Sequence, residues 1–233
     1  KKYLNLNQYL MNFLQKMNLP AQEFSMLNYY AMIYAKGDLD FQLLDNYLGR
    51  DSFDFILQSF YKKYQFQHIT LSELQNHFAQ NASKNTDWFF DNILKKSSLA
   101  DLKVKKVLQE DKILRTTLSN KSNLQTATEV SLVANNLKVL HSQWVDAFSA
   151  EKTIEITDTV NAYAVLVDPQ WIGMEQNRRN NYYKIKGLHQ IKPLQIRMFG
   201  AVEDPTKNQL FVAPILAGNK YDGFMLGLSL YNR

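Results

Sequence analysis

Apolar side chains recur at spacings of three and four along the first hundred residues and at spacings of two beyond them, so the chain reads as a helical segment joined to a β-rich one. Tyr3, Leu6, Tyr9, Leu10, Phe13, Leu14 and Met17 predict a first helix that Pro20 ends. A second pattern, 24–48, runs through Leu27, Tyr30, Met32, Tyr34, Leu39, Leu43, Leu44 and Tyr47 and closes at Gly49. Gly37 in its middle costs about 1 kcal/mol relative to Ala, which implies a close approach at that point. A third helix is expected after Arg50, with Asp51 or Ser52 as its N-cap, and turns Phe53, Ile56, Leu57 and Phe60 inward. Thr70-Leu71-Ser72-Glu73 is a capping box that opens a fourth, and a short fifth follows Asp87 with Trp88, Phe89, Ile93 and Leu94. Short connections favour antiparallel neighbours in a bundle or solenoid.

Around residues 99–101 the period becomes two. Strands are predicted on either side of the turn Glu110-Asp111-Lys112 and again at 129–133, 139–145, 152–157 and 162–167, the last closed by Asp168-Pro169. Six short strands within residues 100–175 predict a β-sandwich of immunoglobulin-like size. The polar run 175–181 follows neither period and reads as a linker, after which 194–202, 210–217 and 224–231 are strands joined by turns. The expected fold class is thus α+β multidomain, with a helical unit at 1–99, a β-sandwich at 100–175, and a linker with further strands at 176–233.

The last strand narrows the choice of environment. Phe224, Leu226, Leu228 and Leu230 alternate with Met225, Gly227, Ser229 and Tyr231, so one face is wholly apolar and the other mostly small or polar. That pattern fits a lipid-facing strand of a transmembrane barrel and an amphipathic strand of a soluble sheet equally well. Three strands cannot close a barrel, so under the barrel reading most of it is expected beyond Arg233.

Composition removes several function classes. With no cysteine, disulfides, thiolate zinc sites and cysteine nucleophiles are ruled out. No apolar run reaches the length of a membrane-spanning helix, and residues 1–14 lack the apolar core of a signal peptide. The excess of 27 Lys and Arg over 22 Asp and Glu is spread along the chain and does not predict a nucleic-acid partner. Likewise, Phe60-Tyr61-Lys62-Lys63-Tyr64 is read as a helix with buried aromatics and solvated lysines, not as a base-stacking platform. His68, His77, His141 and His189 do not form an HExxH pattern, and GxSxG, GxGxxG and GxxxxGK[ST] are missing. No metal- or cofactor-binding residue is assigned within the chain.

Met32-Ile33-Tyr34-Ala35-Lys36-Gly37, followed by Phe41, Leu43, Leu44, Tyr47, Leu48 and Gly49, resembles the segment after the zinc site in aminopeptidase N-like zinc metallopeptidases. The resemblance extends through Asp51-Ser52-Phe53-Asp54-Phe55, Tyr64-Gln65-Phe66-Gln67-His68, the capping box and Asn85-Thr86-Asp87-Trp88-Phe89-Phe90-Asp91, covering roughly residues 25–97. It implies that Tyr34 is a catalytic residue, donating its phenolic hydrogen bond to the oxyanion of the tetrahedral intermediate; one more aromatic on a buried helical face is the competing reading. Nothing before Tyr34 matches the family's zinc ligands or general-base glutamate, so zinc and a peptide substrate are expected in a longer parent protein, and no activity is expected from this piece alone. Asn177-Arg178-Arg179-Asn180-Asn181 and Tyr221-Asp222-Gly223-Phe224-Met225-Leu226-Gly227 are similar to the bacterial outer-membrane members of the group. That similarity implies outer-membrane attachment through the C-terminal strands, with residues 1 to about 190 on the periplasmic side. The alternative function is a non-catalytic, peptidase-derived scaffold or binding module in an outer-membrane assembly.

Overall fold

The computed structural model describes residues 14–232, apart from 112, 158–160, 186–190, 200–202 and 222. The first predicted helix falls almost wholly outside the described residues; the part that is described, 14–20, forms an irregular turn, not helix. The second is a continuous helix, α1 (26–48), opened by Ser25, whose hydroxyl accepts the Asn28 N–H at 3.4 Å. Between Tyr29 and Lys36 it widens into a π-helix before returning to α geometry over Gly37–Leu48. Gly37 is where the side chain of Met17 comes close, since a β-carbon there would lie 3.3 Å from its methyl group.

Gly49, at φ 88° and ψ 141°, ends α1 in a conformation that side-chain-bearing residues avoid, and α2 (Arg50–Tyr64) follows directly. Gly49 is thus the N-cap of α2, two residues before Asp51 and three before Ser52, the N-caps expected from sequence. Thr70 and Glu73 make the reciprocal capping box of α3 (Leu71–Asn81). The fifth predicted helix is α4 (Phe89–Leu94), a second π-helical turn.

Ten strands follow among the described residues, which makes the fold mixed α+β. β1 (Leu102–Glu110) and β2 (Ile113–Asn120) form a hairpin whose turn residue Asp111 takes φ 52°, a left-handed position that Asp tolerates. β5 (Glu151–Ile156) completes that sheet in the order β1-β2-β5. The second sheet holds β3 (Thr128–Val133), β4 (Val139–Val145), β6 (Ala164–Val167) and β7 (Tyr182–Lys184) in the order β4-β3-β6-β7. All four residues of β6 are buried because both faces are covered: Val165 and Val167 enter the main core, while Ala164 and Leu166 pack with Val133 and Tyr182. The main core is continuous from helices to sheets, joining Leu44, Ile56, Phe78, Phe89 and Phe90 to Leu102, Leu114, Leu118, Val130 and Leu132.

Two expectations change. Residues 175–181 are not a linker: Glu175, Arg178 and Asn181 are buried, 178–181 form a 3₁₀ turn, and Arg178 pairs with Asp168 at 3.0 Å. Polarity here marks buried charge pairing, which sequence periodicity does not separate from solvent exposure. The three C-terminal strands also do not form a simple meander. β9 (Asn208–Asn219) and β10 (Gly223–Tyr231) are an antiparallel hairpin, but β8 (Leu194–Met198) lies parallel to β9, with Gln195 opposite Gln209. The Asp204–Thr206 turn lies against the start of β9, where the Asp204 N–H bonds Gln209 Oε1 at 2.8 Å.

Candidate functional site

The π-helical stretch of α1 decides where Tyr34 points. In an α-helix, residues five apart lie about 140° apart around the axis, so Tyr29 and Tyr34 would face different ways. Widening to i→i+5 bonding brings them onto one side, and their rings meet edge to face at 5.8 Å. Tyr30 stacks on Tyr34 at 5.7 Å with an interplanar angle of 28°. Tyr34 is 58% exposed and shares its ridge with Met26, Leu27 and Tyr30, all exposed. The reading of Tyr34 as one more aromatic on a buried helical face therefore does not hold: the buried residues of this stretch are Ala31, Met32, Ala35 and Lys36.

Two residues on, Lys36 anchors the ridge from beneath. Its ammonium is buried and donates to Asp40 Oδ2 at 2.5 Å, to Ile93 O at 3.3 Å and to Met17 Sδ at 3.3 Å. Burial pushes the Asp40 carboxyl above the usual carboxylate range, against the opposing pull of Lys36. Lys36 and Asp40 also line a cavity of about 20 Å³, room for roughly one water, between α1 and the β-sheets, together with Glu175, Asp168, Thr126 and Thr128. The sequence reading missed this polar interior because a Lys and an Asp four apart on a helix look like a solvated pair.

A nucleophile and a base meet at one other place. Ser59 Oγ lies 2.8 Å from His77 Nε2, and the serine hydroxyl also donates to Ile56 O at 2.9 Å. A hydroxyl already donating to a carbonyl accepts from the imidazole, so Nε2 carries the proton and cannot serve as a base toward Ser59. His77 Nδ1 is buried without a hydrogen-bond partner, which leaves the ring no carboxylate to orient it. The pair is packing between α2 and α3, beside Phe60 and Tyr64.

Zinc fits poorly to the donors that are described. No group of three or more His or carboxylate side chains converges among the described residues. His77 is committed to Ser59, His141 lies on β4, and His189 falls outside the described residues. What this region of the chain offers chemically is a phenol held on a rigid, exposed aromatic ridge.

The C-terminal hairpin forms a second exposed feature. Phe224, Leu226, Leu228 and Leu230 on β10 are all more than half exposed, as is Leu216 opposite Leu226 on β9. The other face is turned toward the protein at its base, where Phe211 is buried and stacks on Tyr231 at 5.2 Å. Polar ties from Arg179 to Asn232 and from Lys184 to Ile191 O hold this sheet to the 178–184 segment. No helix of the described residues is long and apolar enough to cross a membrane.

No family model and no curated protein matches the chain. Among solved structures, Legionella pneumophila aminopeptidase A in complex with aspartic acid aligns with 66% of this chain and 19% of its own, at 15% identity and a TM-score of 0.49. The 272–376 domain of a putative cell surface protein from Methanosarcina acetivorans aligns with 40% of this chain and 99% of its own, at 19% identity and a TM-score of 0.33. The chain spans about a fifth of the length of that aminopeptidase, and at TM-scores below 0.5 neither likeness fixes a fold or a function.

Proposed function

We propose that this chain is the C-terminal part of an aminopeptidase-like zinc metallopeptidase of the bacterial outer-membrane type, in which Tyr34 donates a hydrogen bond to the oxyanion formed as a peptide bond is attacked. The observation that carries the reading is the exposure of Tyr34 on a π-helical ridge anchored by a buried ion pair. An exposed ridge of Met26, Leu27, Tyr30 and Tyr34 is apolar surface that a further part of the protein would cover. A phenol donor fixed before the reaction stabilises charge that develops only in the transition state, at no reorganisation cost. Zinc and the general base would come from outside the described residues.

In this reading residues 100–175, with β7 added to their second sheet, form the β-sandwich, and the β9–β10 hairpin contacts the outer membrane with its Leu-rich face while residues 1 to about 190 are periplasmic. Support comes from an uncharged, fully apolar face along a nine-residue strand, the length a tilted strand needs to span about 30 Å of hydrocarbon. The second reading, a non-catalytic scaffold or binding module, draws on the same ridge: Tyr30 stacks on Tyr34 and Tyr29 meets both edge to face, a contiguous aromatic cluster suited to docking.

The discriminating experiment is Tyr34→Phe in the longer protein. The peptidase reading expects kcat to fall roughly 100- to 1,000-fold with zinc content unchanged, the loss typical of one oxyanion donor. An unchanged kcat, or a parent protein without peptidase activity, leaves the scaffold reading. Zinc-dependent peptide hydrolysis by the 233-residue chain alone would overturn the placement of the metal elsewhere.

A further inference from the structure

Residues 99–102, where the helices hand over to β1, are clamped by residues 174–176. Ala100 N–H bonds Met174 O at 3.0 Å, Gln176 N–H bonds Ala100 O at 2.7 Å, and the Leu102 N–H is shared between the two carboxyl oxygens of Glu175 at 3.1 and 3.3 Å. Glu175 is 6% exposed and borders the small cavity that Lys36 and Asp40 of α1 also line. The charged groups around it come from several elements. Asp101 lies at the head of β1, Asp168 follows β6, Arg178 sits on the 3₁₀ turn, and Lys36 and Asp40 share the cavity lining. Both cations already have carboxylate partners, Arg178 with Asp168 and Lys36 with Asp40, so a charged Glu175 would be a further anion in the joint, offset only in part by Arg178 and the Leu102 N–H.

We propose that Glu175 is a protonation-controlled latch on the joint between α1 and the β-sheets: its neutral carboxyl closes the joint, and its ionisation opens it. The open joint admits water to the cavity, releases the 99–102 clamp and loosens the seat of Lys36, two residues from Tyr34. The latch does not depend on the peptidase reading, because its signal is backbone protection, not turnover. Burial pushes the Glu175 carboxyl from 4.5 up to about 8, with Asp168 and Asp101 adding to the rise and Arg178 and the Leu102 N–H opposing it. A group whose closed-state value is raised holds the joint fully below pH 4.5, loses hold as pH rises toward 8, and changes nothing further above that.

Hydrogen exchange of the whole chain tests this, with protection corrected for the intrinsic pH dependence of exchange. In the wild type, protection at 99–104 and 172–178 should fall by up to tenfold for each pH unit between about 5 and 8 and then level off. Amides of α2 should keep their protection, and Glu175→Gln should remove the pH dependence of the clamp. A Glu175→Gln profile with the wild-type slope, or an equal loss across α2, overturns the latch. Should Glu175→Gln fail to fold, carbon-13 titration of the wild-type carboxyls decides: a Glu175 midpoint near 8 that tracks the loss of protection supports the latch, and a midpoint below 6 overturns it.

Discussion

Lys36→Met is the most informative single perturbation of this fold. It keeps the length and apolar stem of the side chain but removes the cation paired with Asp40, whose carboxyl is as deeply buried as the lysine itself. A buried ion pair broken on one side typically costs about 3–5 kcal/mol, because the surviving charge is stranded away from water. For a chain of this size that corresponds to a drop in Tm of roughly 6–20 °C. The loss has a pH signature. Asp40 without Lys36 favours its neutral form in the fold, so the deficit should shrink as pH falls toward 4 and stay at its full size at pH 7 and above. The double variant Lys36→Met/Asp40→Leu removes the stranded charge and should recover most of the loss. Thermal and urea unfolding at pH 4.5 and 7.5 measure all three proteins. A single variant that loses under about 1 kcal/mol, or a double variant as unstable as the single, would show that the pair is hydrated and does not anchor α1.

Further consequences are equally specific. Gly49→Ala should cost about 1–3 kcal/mol through backbone strain alone, since φ is 88° and no atom lies within 4 Å of the added methyl; urea unfolding reads it directly. Tyr47→Phe removes the 2.8 Å bond to Asp146, an exposed acceptor that water can satisfy, so the loss in unfolding free energy should stay near 1 kcal/mol. Phe78→Ala empties a fully buried site between α2, α3 and α4 and should cost about 3–5 kcal/mol in the same assay. If the Leu-rich face of β10 meets lipid, the protein should co-sediment with phosphatidylglycerol vesicles, and Leu226→Glu with Leu228→Glu should release it; wild-type protein left in the supernatant would refute the contact.

Local signals were legible in sequence wherever one rule acted alone. The Thr70–Glu73 box, the stop at Gly49, the span 139–145 of β4 and the turn between β1 and β2 follow from capping chemistry, a glycine-only conformation, alternation and turn residues, whereas the bulge at Val104–Lys106 in the β1–β2 ladder leaves no such signal. Where buried charge replaced apolar packing, the same rules misled. Glu175-Gln176-Asn177-Arg178 carries the composition of a linker, yet Arg178 fills its valences with Asp168 and Gly173 O inside the protein. The parallel pairing of β8 with β9 was hidden for a related reason, because the side-chain amides of Gln195 and Gln209 fix that register at 2.8 Å and neither residue carries a hydrophobic signal.

The position of Tyr34 shows how a backbone irregularity changes what a sequence can say about chemistry. A period of 3.6 places 27, 30 and 34 on one inward stripe with 31 and 35 alongside, and the π-helical turns separate those two sets: the tyrosines go out, the alanines and Lys36 go in. Such a turn forfeits regular hydrogen bonding and survives only where tertiary contacts over-determine it, and here those contacts are the three acceptors gathered around one lysine ammonium. The exposure of the tyrosine and the burial of the lysine are thus one structural fact. It follows that Lys36→Met should disturb the Tyr30–Tyr34 stack along with stability, and tyrosine near-ultraviolet circular dichroism of the still-folded variant would detect it. An unchanged tyrosine signal in a destabilised Lys36→Met protein would mean that the π-turn is set by the local sequence 29–36 alone.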